Sequence, residues 1–400
     1  MIVKCSKKMM YPFRKILKLV RIKKMVCSML PLLFAIGCNN SADEYIVYVG
    51  TYTGKGSEGI YAYNFNPVTG DLSALGLAAK TENPSFITID QKGKFLYAVN
   101  EIDSFQNKLS GAISVFAIEK ESAELTLMQQ VASMGAAPAH LSLDKSARYL
   151  MVANYNGGNI ASFPIGNDGL LGSHTAFVQH YGSGKDSERQ SAPHAHYIQT
   201  NNDNRFVLAA DLGIDKVLIY RFDSKTGSLT PNNPDCIKLQ DGSGPRHLAF
   251  SPTGKFVYVL NELSSTVTVF EFEQDSGIVG EKQTISTLSS NFKGENTTAE
   301  ILLDSKGKFL YVSNRGDNSI AVFSIDSNNG FLKHIEWVSS EGETPRNFEI
   351  DPTGKWLLAA NQNSNNIQIF SIDPISGRLL KVPKSWKVNS PVCIRFLSMK

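Results

Sequence analysis

Residues 244–262 read GPRHLAFSPTGKFVYVLNE, which puts Arg246 and His247 at one end of an apolar run and Glu262 at the end of the next. A histidine titrates near neutral pH, so it can take a proton from water and return it to a leaving group. An arginine stays charged and offers a planar fork of donors to a carboxylate, a phosphate or a developing oxyanion. A glutamate beside them can orient either group or serve as the base itself. These residue types together suit attack of water on a carbonyl in an anionic substrate. A strand pair needs none of them.

The same skeleton returns along the chain. Phe86 to Asn100, His140 to Asn154, His247 to Asn261, Glu300 to Asn314 and Asn347 to Asn361 are each fourteen residues apart. The stretch 194–212, HAHYIQTNNDNRFVLAADL, fits with His196 and Asp211 fifteen apart, as if its turn held one extra residue. Superposing the repeats gives two columns of equivalent positions. The first holds Phe86, His140, His196, His247, Glu300, Asn347 and Cys393; the second holds Thr51, Glu101, Tyr155, Leu212, Glu262, Arg315 and Gln362. Arg246 and Arg346 stand one residue before the first column. The columns vary among polar and titratable residues while their surroundings stay apolar. Equivalent structural positions want similar residues, so this variation marks a site. The Asn or Asp that recurs just before the second column reads as structural, bonding backbone at the turn.

The elements that must carry these columns are strands. Each repeat has two apolar runs joined by a turn such as Ser-Pro-Thr-Gly (251–254). A third run follows, such as SIAVFSI from 319 or NIQIFSI from 366, and then a more polar fourth segment. Period-two alternation rich in Val, Ile and Phe predicts strands, and the polar fourth suits an outer edge. Seven third strands are present but only six complete first hairpins. YIVYVGTYT at 45–53 lacks a first strand, and SPVCIRFL at 390–397 lacks a second. Joined, they complete a seventh unit. The prediction is an all-β, seven-bladed β-propeller of four-stranded blades over 45–400, its last blade closed by the N-terminal strand. A linear solenoid would carry polar caps instead. In a propeller the first strands line the axis, so the two columns become rings at its mouth. The longest irregular insert, YGSGKDSERQSA at 181–192, is long enough to cover a site. Its Gly-Ser-Gly-Lys lacks the spacing of a phosphate loop.

Residues 1–37 hold nine Lys and Arg and no acid, which leaves the remainder mildly acidic despite a formal charge of +3. The basic stretch, the apolar run from Met25 to Gly37 and the sequence Ala-Ile-Gly-Cys predict a lipoprotein signal peptide over 1–37. Cys38 is then the lipidated first residue and 38–44 a tether. The expectation is a protein held at the cell envelope through the lipid anchor only, or a cytoplasmic one if the signal reading fails. No basic stripe points to nucleic acid. Cys236 and Cys393 have no metal-ligand spacing, and neither a metal nor a cofactor is expected.

The motifs PHAH (193–196), ADLGIDKV (210–217), the 244–262 stretch, AEI with YVSNRG (299–316) and PRNFEIDPTGKWLLAANQ (345–362) resemble those of the propeller-type lactonases. That family includes bacterial 6-phosphogluconolactonases and fungal carboxymuconate cyclases, and the resemblance covers essentially all of 45–400. It implies a metal-independent hydrolase acting on a sugar-derived anionic lactone, with 6-phosphogluconolactone the first candidate. By motif position it implies His196, Arg246, Glu262 and Arg315 as the catalytic group, with His194 an alternative to His196. Arg346 adds to an anion site. His140, His194, His247, Glu300 and Gln362 complete the substrate-binding rings. Either His196 or Glu262 can be the base. The competing expectation is a non-catalytic surface propeller that binds a glycan or a protein. An exported chain would not meet 6-phosphogluconolactone where the cytosol makes it, which leaves another sugar lactone open.

Overall fold

Runs such as Phe256–Asn261 and Tyr149–Asn154 are buried along their whole length, on both faces of their strands. That explains why the second strand of each repeat reads as an unbroken apolar stretch: each face packs against a neighbouring sheet. The computed structural model describes residues 45–54, 56–277 and 279–399. The predicted signal peptide, Cys38 and the predicted tether therefore lie outside the described residues. Among the described residues the strands form seven four-stranded antiparallel sheets and one small hairpin, Ser104–Phe105 with Lys108–Leu109. The one helical element described is a short 3-10 turn, Leu212–Ile214.

Six sheets take their strands in chain order, as in Pro245–Phe250, Phe256–Asn261, Thr266–Phe272 and Val279–Ser286. The seventh runs Leu72–Lys80, Gly59–Phe65, Tyr45–Thr51, Pro391–Ser398, so the last strand of the chain is its innermost. Tyr45 pairs with Ser398 and Val49 with Ile394. The innermost strands touch in an unbroken cycle that closes through Pro391–Ser398 and Ile87–Ile89. This is the seven-bladed ring that the complementary ends predict.

Blades lock through the turns between their third and fourth strands. Gly70 and Gly330 hold φ of 75° and 77° there, and a Cβ would come within 2.8 Å of the Trp356 ring and 2.6 Å of the Phe256 ring, respectively. Glycine meets both demands, the left-handed backbone and the close ring. Tyr97 and Tyr311 donate from neighbouring blades to the carbonyls of Gly169 and Gly377 at 3.0 and 2.9 Å. The recurrent asparagines tie their second strands to the segment that follows the preceding blade's fourth strand: Asn154 Nδ2 donates to Ser133 O and Asn361 Nδ2 to Ser340 O, both at 2.9 Å.

Candidate active site

In four blades the first strand bulges at the same place. The register jumps from Pro138 to His140, Ala195 to Tyr197, Pro245 to His247 and Pro345 to Asn347. A bulged residue has no cross-strand partner and is re-aimed. The residues passed over are Ala139, His196, Arg246 and Arg346. The register thus moves His196 out of the column predicted for it. Tyr197 stands level with His140 and His247, and Tyr197 to Asp211 is the usual fourteen residues, with no extra one in the turn. His196 shares a tier with Arg246 and Arg346 instead. The second column shifts likewise at its start. Thr51 pairs with Pro391 as Asn261 pairs with Pro245, so Tyr52 rather than Thr51 stands level with Glu262.

These tiers enclose a cavity of about 210 Å³ lined by Tyr52, Glu101, Ala139, Tyr155, Arg189, His196, Glu262, Arg315 and Arg346. Arg246 lies just beneath, beside a space of about 10 Å³ that it shares with Phe86, His247, Glu300 and Asn347. Glu262 is the hub. Its Oε2 meets Arg315 Nη2 at 2.9 Å and Arg246 Nε at 3.0 Å, and its Oε1 accepts from Arg189 Nη2 at 2.7 Å. Burial alone would raise this carboxyl, but the Arg315, Arg246 and Arg189 guanidiniums hold it at about 2. The Arg246 contact is one of charge and not an aligned hydrogen bond, because Arg246 Nε and Arg315 Nε are both buried donors without a partner. Burial, and then repulsion from Arg315 and Arg346, draw Arg246 down to about 9.

His196 is 5% exposed, and its Nδ1 is likewise buried without a partner. Burial first, then the nearby Arg246, hold it well below 6.5, so it is neutral at ordinary pH. Across the mouth Tyr52 donates to Glu101 at 2.8 Å, and the Arg346 guanidinium lies over the Tyr52 ring at 5.1 Å. Unsatisfied buried polar atoms are uncommon in folded proteins, and His196 Nδ1, Arg246 Nε and Arg315 Nε bring three of them to this one site.

The remaining predicted residues lie elsewhere. His247 accepts from Arg246 Nη1 at Nε2 (3.1 Å), so its proton sits on Nδ1 and is given to Glu300 Oε1 at 2.8 Å. Asn347 holds the other oxygen of Glu300 at 2.5 Å. His247 and Glu300 thus buttress Arg246 from below the cavity. His140 is packed between Phe86 and Tyr197 and takes the Ile198 amide on Nδ1. His194 stacks on Tyr155 from outside the cavity lining, with Nδ1 3.0 Å from Tyr155 O. Gln362 does not line the cavity either.

Besides Ala139, four polar lining residues were not assigned a site role by sequence. Tyr52 was one position off in the alignment, and Glu101 and Tyr155 sat in the second column without a motif. Arg189 comes from the 181–192 insert, outside the repeat. Among the described residues no group of three or more His, Cys, Asp or Glu is placed to hold a metal ion.

The chain belongs to the lactonase seven-bladed β-propeller family, whose family model matches residues 46–396. It is 38% identical over 354 residues to a 6-phosphogluconolactonase of Bacillus subtilis, covering 88% of this chain and 99% of that one. It is 35% identical over 349 residues to a 6-phosphogluconolactonase of Formosa agariphila, covering 86% and 97%. The structure of a periplasmic gluconolactonase from Pseudomonas aeruginosa superposes with a TM-score of 0.84 at 35% identity, covering 89% of this chain and all of that one.

Proposed function

We propose that this chain hydrolyses a sugar-derived lactone bearing an anionic group, with 6-phosphogluconolactone the first candidate. The observation that carries this reading is the convergence of three guanidiniums on the single carboxylate of Glu262, beside a neutral histidine with a free ring nitrogen. One carboxylate neutralises one arginine. With Arg346 facing Glu101 and Glu300 beneath Arg246, four guanidiniums meet three carboxylates, and the surplus positive charge suits an anion. The lactonase relatives fit the same chemistry, and the non-catalytic reading has no comparable support.

In this mechanism His196 takes a proton from water as the water oxygen bonds to the lactone carbonyl carbon. Glu262, held near 2, is too weak a base for that step and acts to anchor Arg246 and Arg315. Negative charge gathering on the carbonyl oxygen is met by those guanidiniums, whose Nε–H donors are free. The ring C–O bond then breaks, and the imidazolium of His196 returns its proton to the departing alkoxide. Burial and Arg246 weaken His196 as a base in the free protein; an anionic substrate among the arginines offsets their repulsion and restores basicity.

The test is hydrolysis of freshly made 6-phosphogluconolactone and glucono-δ-lactone by the purified protein, followed by acid release in a pH-stat. Failure on both sinks the reading. We propose further that residues 1–37 direct export and that Cys38 carries lipid. The periplasmic place named for the Pseudomonas relative supports this. Wild-type chain found in the cytosol with residues 1–37 attached would refute it.

A further inference from the structure

The insert 181–192 is not slack chain. Asp186 Oδ1 accepts the amides of Glu188 and Arg189, both at 3.0 Å, and its own amide donates to Gln190 Oε1 at 3.0 Å. Gln190 is fully buried, and its Nε2 donates to Leu212 O at 2.8 Å and Asp215 Oδ1 at 2.7 Å. Asp215 also accepts the amides of Gly242 and Gly244 at 2.7 Å, immediately before the strand that carries Arg246. Two buried side chains thus fix the backbone of Arg189 against the backbone leading to Arg246. A loop built this tightly holds one side chain in place, and that side chain is Arg189.

Arg189 differs from the other cations of the mouth. Its side chain is 40% exposed, against 3% for Arg246, 14% for Arg315 and 17% for Arg346. It stands at the rim while the others stand deeper. Its partner Glu262 keeps two other guanidiniums, so Arg189 can leave that carboxylate without stranding it. The Tyr155 hydroxyl, 3.4 Å away, holds it only loosely. When a lactone carbonyl sits by His196 and Arg246, the end of the sugar farthest from the carbonyl points toward the rim.

We propose that Arg189 is the specificity-determining residue of this site: it releases Glu262 and forks onto a phosphoryl group at the end of the lactone remote from the carbonyl. The inference rests on the lactonase reading and adds to it the residue that tells a phosphorylated sugar lactone from a neutral one.

The test compares 6-phosphogluconolactone with glucono-δ-lactone, which has the same ring and no phosphate, in wild type, Arg189→Gln and Arg189→Lys. The expected result is that Arg189→Gln lowers the wild-type preference in kcat/KM for the phosphorylated lactone by about 10–100-fold, chiefly through KM. Arg189→Lys should lose less, since a point charge keeps part of the attraction. Inorganic phosphate, as an inhibitor of glucono-δ-lactone hydrolysis, should weaken at least about 10-fold in Arg189→Gln. Equal losses on the two lactones would mean that Arg189 only orients Glu262, and would overturn the proposal. So would a wild type that hydrolyses both lactones without preference, which leaves the lactonase reading intact. A wild type that hydrolyses neither overturns both.

Discussion

Replacing Glu262 by glutamine keeps the shape of the side chain and removes the charge that three arginines share. The amide oxygen can face Arg246 and Arg315, which leaves the amide nitrogen against Arg189. The contacts that survive lose their charge–charge attraction but remain contacts to a guanidinium, so they weaken without vanishing. Arg189 can turn to solvent. Arg246 cannot, because it is 2% exposed, and its guanidinium becomes a buried charge with no carboxylate in contact. Removing one partner of a buried pair costs about 3–5 kcal/mol. Unfolding entropy of about 2.1 cal/mol/K per residue gives the ring about 0.75 kcal/mol/K, so Tm should fall by about 4–7 °C. With Arg246 and Arg315 no longer anchored, kcat should fall at least about 10²-fold, the usual cost of losing one oxyanion donor. Thermal melts and initial rates on the same preparation measure both quantities. Glu101→Gln is the control: it keeps an oxygen for the Tyr52 hydroxyl and gives up only a 3.9 Å contact with Arg346. A Glu262→Gln protein that melts with wild type and keeps its kcat would refute the hub.

His196→Ala should lower kcat by about 10²–10⁴-fold while moving Tm less than Glu262→Gln does, because its Nδ1 makes no bond to lose; unchanged kcat would transfer the base role elsewhere. Acid should destabilise the ring below about pH 6.5. His140, His196 and His247 are held well below 6.5 in the fold, chiefly by burial, so the unfolded chain binds up to three more protons as pH falls through 6.5. Glu349, raised by burial to about 7, works the other way and offsets one of them, and the raised Glu300 trims the difference further. The remaining two protons give a slope of up to about 2.7 kcal/mol per pH unit, to which His334, also lowered by burial, adds in the same direction. Urea melts at pH 6.5 and 5.5 read this slope, and a ring that gains stability on acidification contradicts the neutral histidines.

The fold was legible because repetition averages out local ambiguity. One strand-turn-strand pattern is weak, but five copies with fourteen-residue spacing and two complementary ends leave few architectures. The site was legible in type and blurred in position. A bulge adds one residue to one strand without changing the apolar alternation much, so nothing in the sequence separates His196, the bulged residue, from Tyr197, the paired one. The fifteen-residue interval was the trace of that error, since it fitted a longer turn as well as a shifted column. Thr51 was aligned for a similar reason: it stands where other repeats carry asparagine, and it too bonds nearby backbone, donating to Gly59 O at 2.6 Å. Arg189 was invisible to the repeat because it has no counterpart in the other blades. Its signal lies in the Asp186 and Gln190 that bracket it, side chains able to build a turn.

Of the described strands, Tyr45–Thr51 is made first and is buried along its whole length, yet its inner neighbour Pro391–Ser398 is made last. During synthesis that apolar edge waits, unpaired, for nearly the entire chain to follow, which is the kind of surface that other strands add to. The wait extends to the chemistry. Tyr52 is made 294 residues before Arg346, and both line one cavity. A chain stopped before Arg346 lacks part of the cavity wall, so catalytic activity reports a ring carried through to its later blades.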